Sequence, residues 1–418
     1  MQKLIIEGVH QLEGEIKIQG AKNSVLPILA ASLLCGEKCV VGNCPKILDV
    51  DISLKIIEYL GCKTKFADSK LTIDSSNLSK NEIPESLMRK MRSSIIFLGA
   101  LIARTGRAKL TLPGGCELGP RPIDMHLEGL RQLGVKITES HGIIECSVMK
   151  KLKGCNIVLS FPSVGATENL MITASACEGK TTISNAAREP EIVDLAAFLN
   201  KMGANVSGAG SSTITIEGTK KFYTIEHSII PDRIAAITYM AAAAVTGSKL
   251  TLREIPREII NSAISIFEES GCAIKEYEKN VLNIISPERL QSVKTVRTMP
   301  YPGFPTDAQA IIMAMTTMSF GTSVFVETIF ESRFKHVSEL MRLGADIKVE
   351  GKVAIVEGVK RLSGANVTAT DLRGSAALVV AALAAEGETA ISNLTHLDRG
   401  YEDIEKILKS VKAKIKRV

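Results

Sequence analysis

Apolar and polar residues alternate along this chain in a pattern that recurs. An alanine-rich helical segment ends in a glycine, and a short strand of alternating apolar and polar residues follows: LLCGEKCVVGN, ARTGRAKLTLPGG, CEGKTTISNAA, VTGSKLTLREI, SFGTSVFVETI and AEGETAISNLT. The glycines are Gly36, Gly106, Gly179, Gly247, Gly321 and Gly387, spaced 70, 73, 68, 74 and 66 residues apart. Self-similarity at a fixed period is the signature of a repeat architecture. A second mark lies 23 to 28 residues after five of the glycines: a helix stopped by Gly61, Gly134, Gly203, Gly271 or Gly344, then another alternating strand. Glycine just past a helix is the usual C-terminal stop. The sixth copy, VKAKIKRV, carries Lys412 in that place. A third mark reads as a hairpin-like pair of strands at 5–20, 71–83, 214–227 and 354–371, each leading into an alanine-rich helix. The predicted unit is strand–strand–helix–strand–helix, written six times. The copies divide three and three near Ile230 and Pro231. The chain ends on a strand with no partner after it, which residues 1–20 are placed to supply.

Composition adds the nature of the core. Aromatics are 4% of the 418 residues and Trp is absent, so the core is aliphatic. The net charge of +6 is not gathered into a tail, and it suits anionic small molecules as well as nucleic acid. No run of 18 apolar residues predicts a membrane span, and the opening MQKLIIEGVHQLEG lacks the apolar stretch of a signal peptide. Nine scattered cysteines without CxxC or zinc spacing point to a reducing cytoplasm and to no metal site.

Candidate chemistry sits where the copies differ. The helix starts carry Lys22-Asn23, Arg92-Ser93, Ser163-Val164-Gly165, Asp232-Arg233, Asp307 and Arg373-Gly374. Helix starts favour anions, and arginine forks grip planar oxyanions. Loops after the glycine strands add Cys116 with Arg121, Arg188-Glu189, Arg257, Glu331 with Arg333, and Asp398-Arg399. In TLPGGCELGPRPIDMH, Cys116 lies among glycines with Arg121 and a helix start behind it, a setting that lowers a thiol's pKa. Behind that loop, Ile123, Leu127, Leu130 and Leu133 share one helix face. Plainer readings stand beside these. Lys22-Asn23 reads equally as a helix cap, and Asp307 as a carboxylate stabilising a helix dipole. Asp232-Arg233 and Arg188-Glu189 read as ion pairs, Asp371 with Arg373 stays open, and Met313, Met315 and Met318 read as core.

The motifs GAKNSVLPILAA, LPGGCELGPRPIDMHLEGL, SVGATENLM, NAAREPEIVD, PDRI, FPTDAQA, ETIFESRFKHVSEL, ATDLRGSAALVVA and HLDRGYEDI run from end to end. Together they resemble the UDP-N-acetylglucosamine 1-carboxyvinyltransferases, which are enolpyruvyl transferases. The resemblance implies an α/β fold of two domains, each an inverted, inside-out α/β barrel with helices inside. The six βαβ-type repeats would fall three per domain: 22–230 in the first, 1–21 with 231–418 in the second, and the active site in the cleft between. It implies transfer of the enolpyruvyl group of phosphoenolpyruvate to the 3-hydroxyl of UDP-N-acetylglucosamine, without cofactor or metal, in the cytoplasm. It also implies that Cys116 delivers a proton to C3 of phosphoenolpyruvate and is the residue fosfomycin alkylates, and that Asp307 is the base. Lys22, Arg121 and Arg399 would hold phosphoenolpyruvate, with Asn23 at the reacting centre. Arg92, Arg121, Pro122, Ile123, Asp124, Met125, Ser163, Val164, Gly165, Asp307 and Ile329 would meet the UDP-sugar. Arg333, Asp371 and Arg373 match further cleft residues. Where some members have a lysine two residues before the serine of SVGAT, this chain has Phe161, which replaces that contact by stacking or through the backbone.

Three other functions fit parts of the pattern: transfer to shikimate 3-phosphate, a catalytically idle paralogue, and a ring-shaped DNA clamp. The clamp requires Lys and Arg along the inner helices, whereas these helices are alanine-rich with charges at their starts, so no nucleic-acid partner is expected.

Overall fold

The computed structural model describes residues 2–114 and 123–418, and the statements below concern those residues. The chain divides into two compact units. One holds the residues up to Gln19 together with Pro231–Val418; the other holds the described residues from Gly20 to Ile230.

The alanine-rich segments form helices Lys22–Ala31, Phe97–Thr105 and Val164–Ala174 in one unit, and Arg233–Val245, Thr306–Thr316 and Leu372–Ala384 in the other. Most residues of each are buried, as expected of helices apolar nearly all round, though Phe97–Thr105 exposes its last turn. Within each unit the three pack against one another. Small side chains set their spacing: a Cβ on Gly99 would lie 2.3 Å from Asn169 Oδ1, so no larger residue fits there. The second helix of each repeat, such as Leu48–Tyr59 or Asp124–Gln132, keeps one face exposed. Ile123, Leu127, Leu130 and Leu133 are all buried on the inner face of Asp124–Gln132 and its flanks.

Outside the inner helices stand six four-stranded sheets of one design. The strand after each inner helix is central. It pairs antiparallel with one neighbour, whose own antiparallel partner forms an edge, and parallel with a short strand at the other edge. Each unit thus has helices inside and sheets outside, around a single aliphatic core.

The hairpin-like pairs expected at 5–20, 71–83, 214–227 and 354–371 do not form. Leu71 to Asp74 pairs with Lys63–Ala67 before it, whereas Glu82–Ile83 joins the next sheet beside Arg107–Thr111. Three of the four supposed hairpins are the second strand of a true hairpin followed by the edge strand of a different sheet; in the first, Leu4–Glu7 pairs instead with strands from the far end of the chain. In four repeats that edge strand, the inner helix and the central strand form a parallel βαβ crossover. The other two repeats trade edge strands. Glu13–Lys17 precedes Lys22–Ala31 yet pairs with Lys249–Arg253, while Glu226–Ser228 precedes Arg233–Val245 yet pairs with Lys38–Gly42. The N-terminal stretch is therefore shared: Leu4–Glu7 pairs with Lys414–Arg417 and completes the sixth sheet, and Glu13–Lys17 completes the fourth. Lys412 takes the left-handed conformation, φ 73°, that glycines hold in the other five copies.

Candidate active site

In the unit running from Gly20, the Lys22–Ala31 helix begins without a side-chain cap, so Lys22 and Asn23 are not capping residues. Lys22 Nζ sits 2.8 Å from Asp49 Oδ2, and Asp49 is wholly buried at the start of Leu48–Tyr59. This pairing fixes the ammonium group at the helix start and supplies the counter-charge that its burial demands. Arg92 opens a short 3-10 helix, Arg92–Ile96, ahead of the inner helix at Phe97. Ser163 caps the Val164–Ala174 helix, its Oγ accepting the Ala166 N–H at 3.3 Å. Phe161 precedes it with a side chain 41% exposed and a carbonyl that accepts the Ser163 N–H at 2.7 Å. Asp124 and Met125 open the helix Asp124–Gln132 directly after Ile123. Arg92 and Asp124 both act electrostatically on His126, and Gly165 lies against its ring, so this group of predicted residues converges on one spot. Cys116, Arg121 and Pro122 lie outside the described residues.

In the other unit the predicted residues meet at Asp307, the second residue of Thr306–Thr316. Its Oδ1 accepts from Arg333 at 3.1 Å, and its Oδ2 accepts from Arg373 Nε at 3.2 Å and from Arg373 NH2 at 3.0 Å. Both arginines are almost fully buried, whereas the Asp307 side chain is 28% exposed. Two forked cations thus hold one carboxylate that stays partly exposed. Arg333 also donates to the Thr306 carbonyl at 2.9 Å, and Arg373 reaches the Tyr401 hydroxyl at 3.4 Å. Asp371 caps Leu372–Ala384, its Oδ1 accepting the N–H groups of Arg373 and Gly374 at 3.0 Å each. Burial pushes the Asp371 carboxyl up, but the Arg333 charge and these N–H groups outweigh it and leave it below the usual range. Arg399 follows the short helix Thr395–Asp398, whose Asp398 is gripped by Arg417.

Several supporting residues carry no mark in the sequence. Glu327 is buried and accepts from Thr298, Thr306 and the N–H groups of Ile329 and Phe330, which sets the position of Ile329. Asp49 and Tyr401 support Lys22 and Arg373 in the same way, across 27 and 28 residues of chain. No local spacing ties such distant pairs together.

A family model described as EPSP synthase (3-phosphoshikimate 1-carboxyvinyltransferase) matches residues 6–408. The chain belongs to this family of carboxyvinyltransferases. It is 50% identical over 418 residues, all of both chains, to UDP-N-acetylglucosamine 1-carboxyvinyltransferase 2 of Caldanaerobacter subterraneus subsp. tengcongensis. It is 48% identical over 422 residues, all of this chain and 95% of the relative, to UDP-N-acetylglucosamine 1-carboxyvinyltransferase 1 of Symbiobacterium thermophilum. Among solved structures, the enolpyruvyl transferase NikO from Streptomyces tendae superposes with a TM-score of 0.90 at 24% identity, over 100% of this chain and 99% of NikO. EPSP synthase from Acinetobacter baumannii gives a TM-score of 0.76 at 17% identity, over 100% of this chain and 99% of that one. These likenesses establish the fold as the inverted α/β barrel of the enolpyruvyl transferases, as the resemblance implied.

Proposed function

We propose that this enzyme transfers the enolpyruvyl group of phosphoenolpyruvate to the 3-hydroxyl of UDP-N-acetylglucosamine and releases phosphate, as the opening step of peptidoglycan synthesis in the cytoplasm. The observation that carries this is identity near 50% over the full chain to relatives bearing that name, against 17% to the EPSP synthase structure. Among the described residues no helix is long and apolar enough to cross a membrane.

The reaction is an addition followed by an elimination. The sugar O3 attacks C2 of phosphoenolpyruvate while C3 takes a proton. The tetrahedral adduct then loses phosphate, and C3 gives up a proton to restore the double bond. Cys116 is the acid for C3 and the target of fosfomycin. Asp307 receives the hydroxyl proton, and the grip of Arg333 and Arg373 sets where that carboxylate stands. Lys22, Arg121 and Arg399 hold the carboxylate and phosphate of phosphoenolpyruvate, with Asn23 beside them. Arg92, Arg121–Met125, Ser163–Gly165 and Ile329 hold the UDP-sugar, and Asp371 fixes the helix start that carries Arg373. Holding two reactants in line is worth roughly 7–11 kcal/mol, and a placed acid or base about 10²–10⁴-fold, so positioning is the larger share.

The test is phosphate release with each acceptor. UDP-N-acetylglucosamine should support turnover and shikimate 3-phosphate should not. Turnover only with shikimate 3-phosphate would overturn the assignment, and no turnover with either would mark an idle paralogue. Replacing Cys116 by Ser should slow the reaction by about 10²-fold or more and abolish covalent labelling by fosfomycin.

A further inference from the structure

His126 closes the loop motif that singled out Cys116, yet none of the roles above uses it. It lies on Asp124–Gln132 with 7% of its surface exposed. Its Nδ1 is 3.0 Å from Asn169 Nδ2. The orientation of that amide is fixed, because Asn169 Oδ1 accepts the Gly99 N–H at 2.7 Å and Nδ2 donates to the Ile95 carbonyl at 3.0 Å. The second Nδ2 hydrogen therefore points at His126 Nδ1, which must accept it. An imidazole that accepts at Nδ1 carries its one hydrogen on Nε2. Burial first, and then the Arg92 charge, lowers the ring's pKa to about 4, so the ring is neutral at physiological pH and this tautomer is stable.

Nε2–H makes no hydrogen bond among the described residues. It lies beside Gly165: a Cβ there would be 3.2 Å from the ring Cε1 and 3.4 Å from Nε2. The ring edge carrying the donor thus faces the start of the 11-residue helix Val164–Ala174. That helix has its own donors at the same place. Ser163 accepts the Ala166 N–H, while the N–H groups of Val164 and Gly165 precede any intrahelical acceptor.

We propose that His126 Nε2–H donates a hydrogen bond to a diphosphate oxygen of the bound UDP-sugar, alongside the N–H groups that open Val164–Ala174; this rests on UDP-N-acetylglucosamine binding at Ser163–Gly165. A neutral donor held by Asn169 gives direction where Arg92 and the helix dipole give charge. Gly165 leaves the space through which the ring reaches the ligand.

Two substitutions separate this from a packing role. In His126→Gln the side-chain amide can stand where Nε2 stood, whereas in His126→Asn it can stand only where Nδ1 stood, against Asn169. Steady-state kinetics on both variants, with melting curves to confirm folding, should give a KM for UDP-N-acetylglucosamine raised about tenfold in His126→Asn and less than about threefold in His126→Gln. That follows from one hydrogen bond of roughly 1.4 kcal/mol. The KM for phosphoenolpyruvate should stay within about twofold in both. The reverse order, with His126→Asn healthy and His126→Gln impaired, overturns the donor role, as do equal effects in the two variants. Absence of wild-type turnover with UDP-N-acetylglucosamine would overturn the functional assignment itself, a different and separately visible failure.

Discussion

Glu168 is a carboxyl group in a place that resists charge. It is buried on the inner helix Val164–Ala174, and burial first, then the nearby charges of Glu191 and Glu189, push its pKa well above the ordinary 4.5. The folded protein therefore holds this proton to a higher pH than the unfolded chain does. The stability it contributes is full below the unfolded value and is lost as pH rises through the folded one. Each unit of separation is worth about 1.4 kcal/mol. Glu168→Gln should accordingly raise the melting temperature, and by more at pH 8 than at pH 5; equal gains at the two pH values would show that the carboxyl is not strained by charge. The site residues divide at this scale into legible and hidden. Lys22, Asp307 and Arg373 stand out in sequence because a charge on an alanine-rich helix needs a reason. Asp49 and Glu327 do not, because their work is visible only when the partner across the fold is known.

Asp194, on the helix Pro190–Lys201, ties three elements together. It accepts from the Ser24 hydroxyl, lies 2.8 Å from His227 Nε2 and accepts the Ile230 N–H at 3.3 Å. The inner helix Lys22–Ala31 is thereby joined to the edge strand Glu226–Ser228, which reached this sheet by the exchange of edge strands. Removing one partner from a buried cluster strands the others, at about 3–5 kcal/mol. Asp194→Ala should lose that much in urea unfolding and Asp194→Asn less, since the amide keeps one acceptor; a loss under about 1 kcal/mol for Asp194→Ala would mean the three elements hold without it. This exchange is also what the sequence conceals. Alternation marks strands reliably because it reflects a buried face, and helix period and glycine stops mark the helices for the same reason. Pairing is a different matter, since neighbours in sequence are only usually neighbours in a sheet. Leu71 to Asp74 and Glu82–Ile83 look like a hairpin because a polar turn separates them, yet each buries its apolar face in a different sheet. Glu226–Ser228 has the same three-residue length and single buried position as the edge strands Asn156–Val158 and Asn366–Thr368 that stay with their own helices.

Over the whole molecule, the same hydrophobic design sets the response to acid. Each unit contains a buried histidine with its pKa lowered to about 4, chiefly by burial: His126 in one and His336 in the other. The unfolded chain takes up these protons near the ordinary 6.5. A folded pKa below the unfolded one means stability that is full above pH 6.5, declines as pH falls and is spent by about pH 4. At pH 5 each histidine has cost about 2 kcal/mol, and by pH 4 about 3. Glu168 has the opposite sign and offsets part of this in its own unit, so the unit that contains His336 should be the more acid-sensitive of the two. His336 is the cleaner probe, because it is fully buried and, among the described residues, only the backbone of Arg333 comes near enough to act on its ring as a hydrogen-bond partner. Replacing it by Leu keeps the volume close and removes the titration. Urea midpoints from pH 8 to pH 5 should fall for the wild type below pH 6.5, and in His336→Leu the fall for that unit should flatten by up to about 1.4 kcal/mol per pH unit. Identical slopes in the two proteins would mean that repulsion among surface cations, which grows as the net charge rises above +6, governs acid unfolding instead.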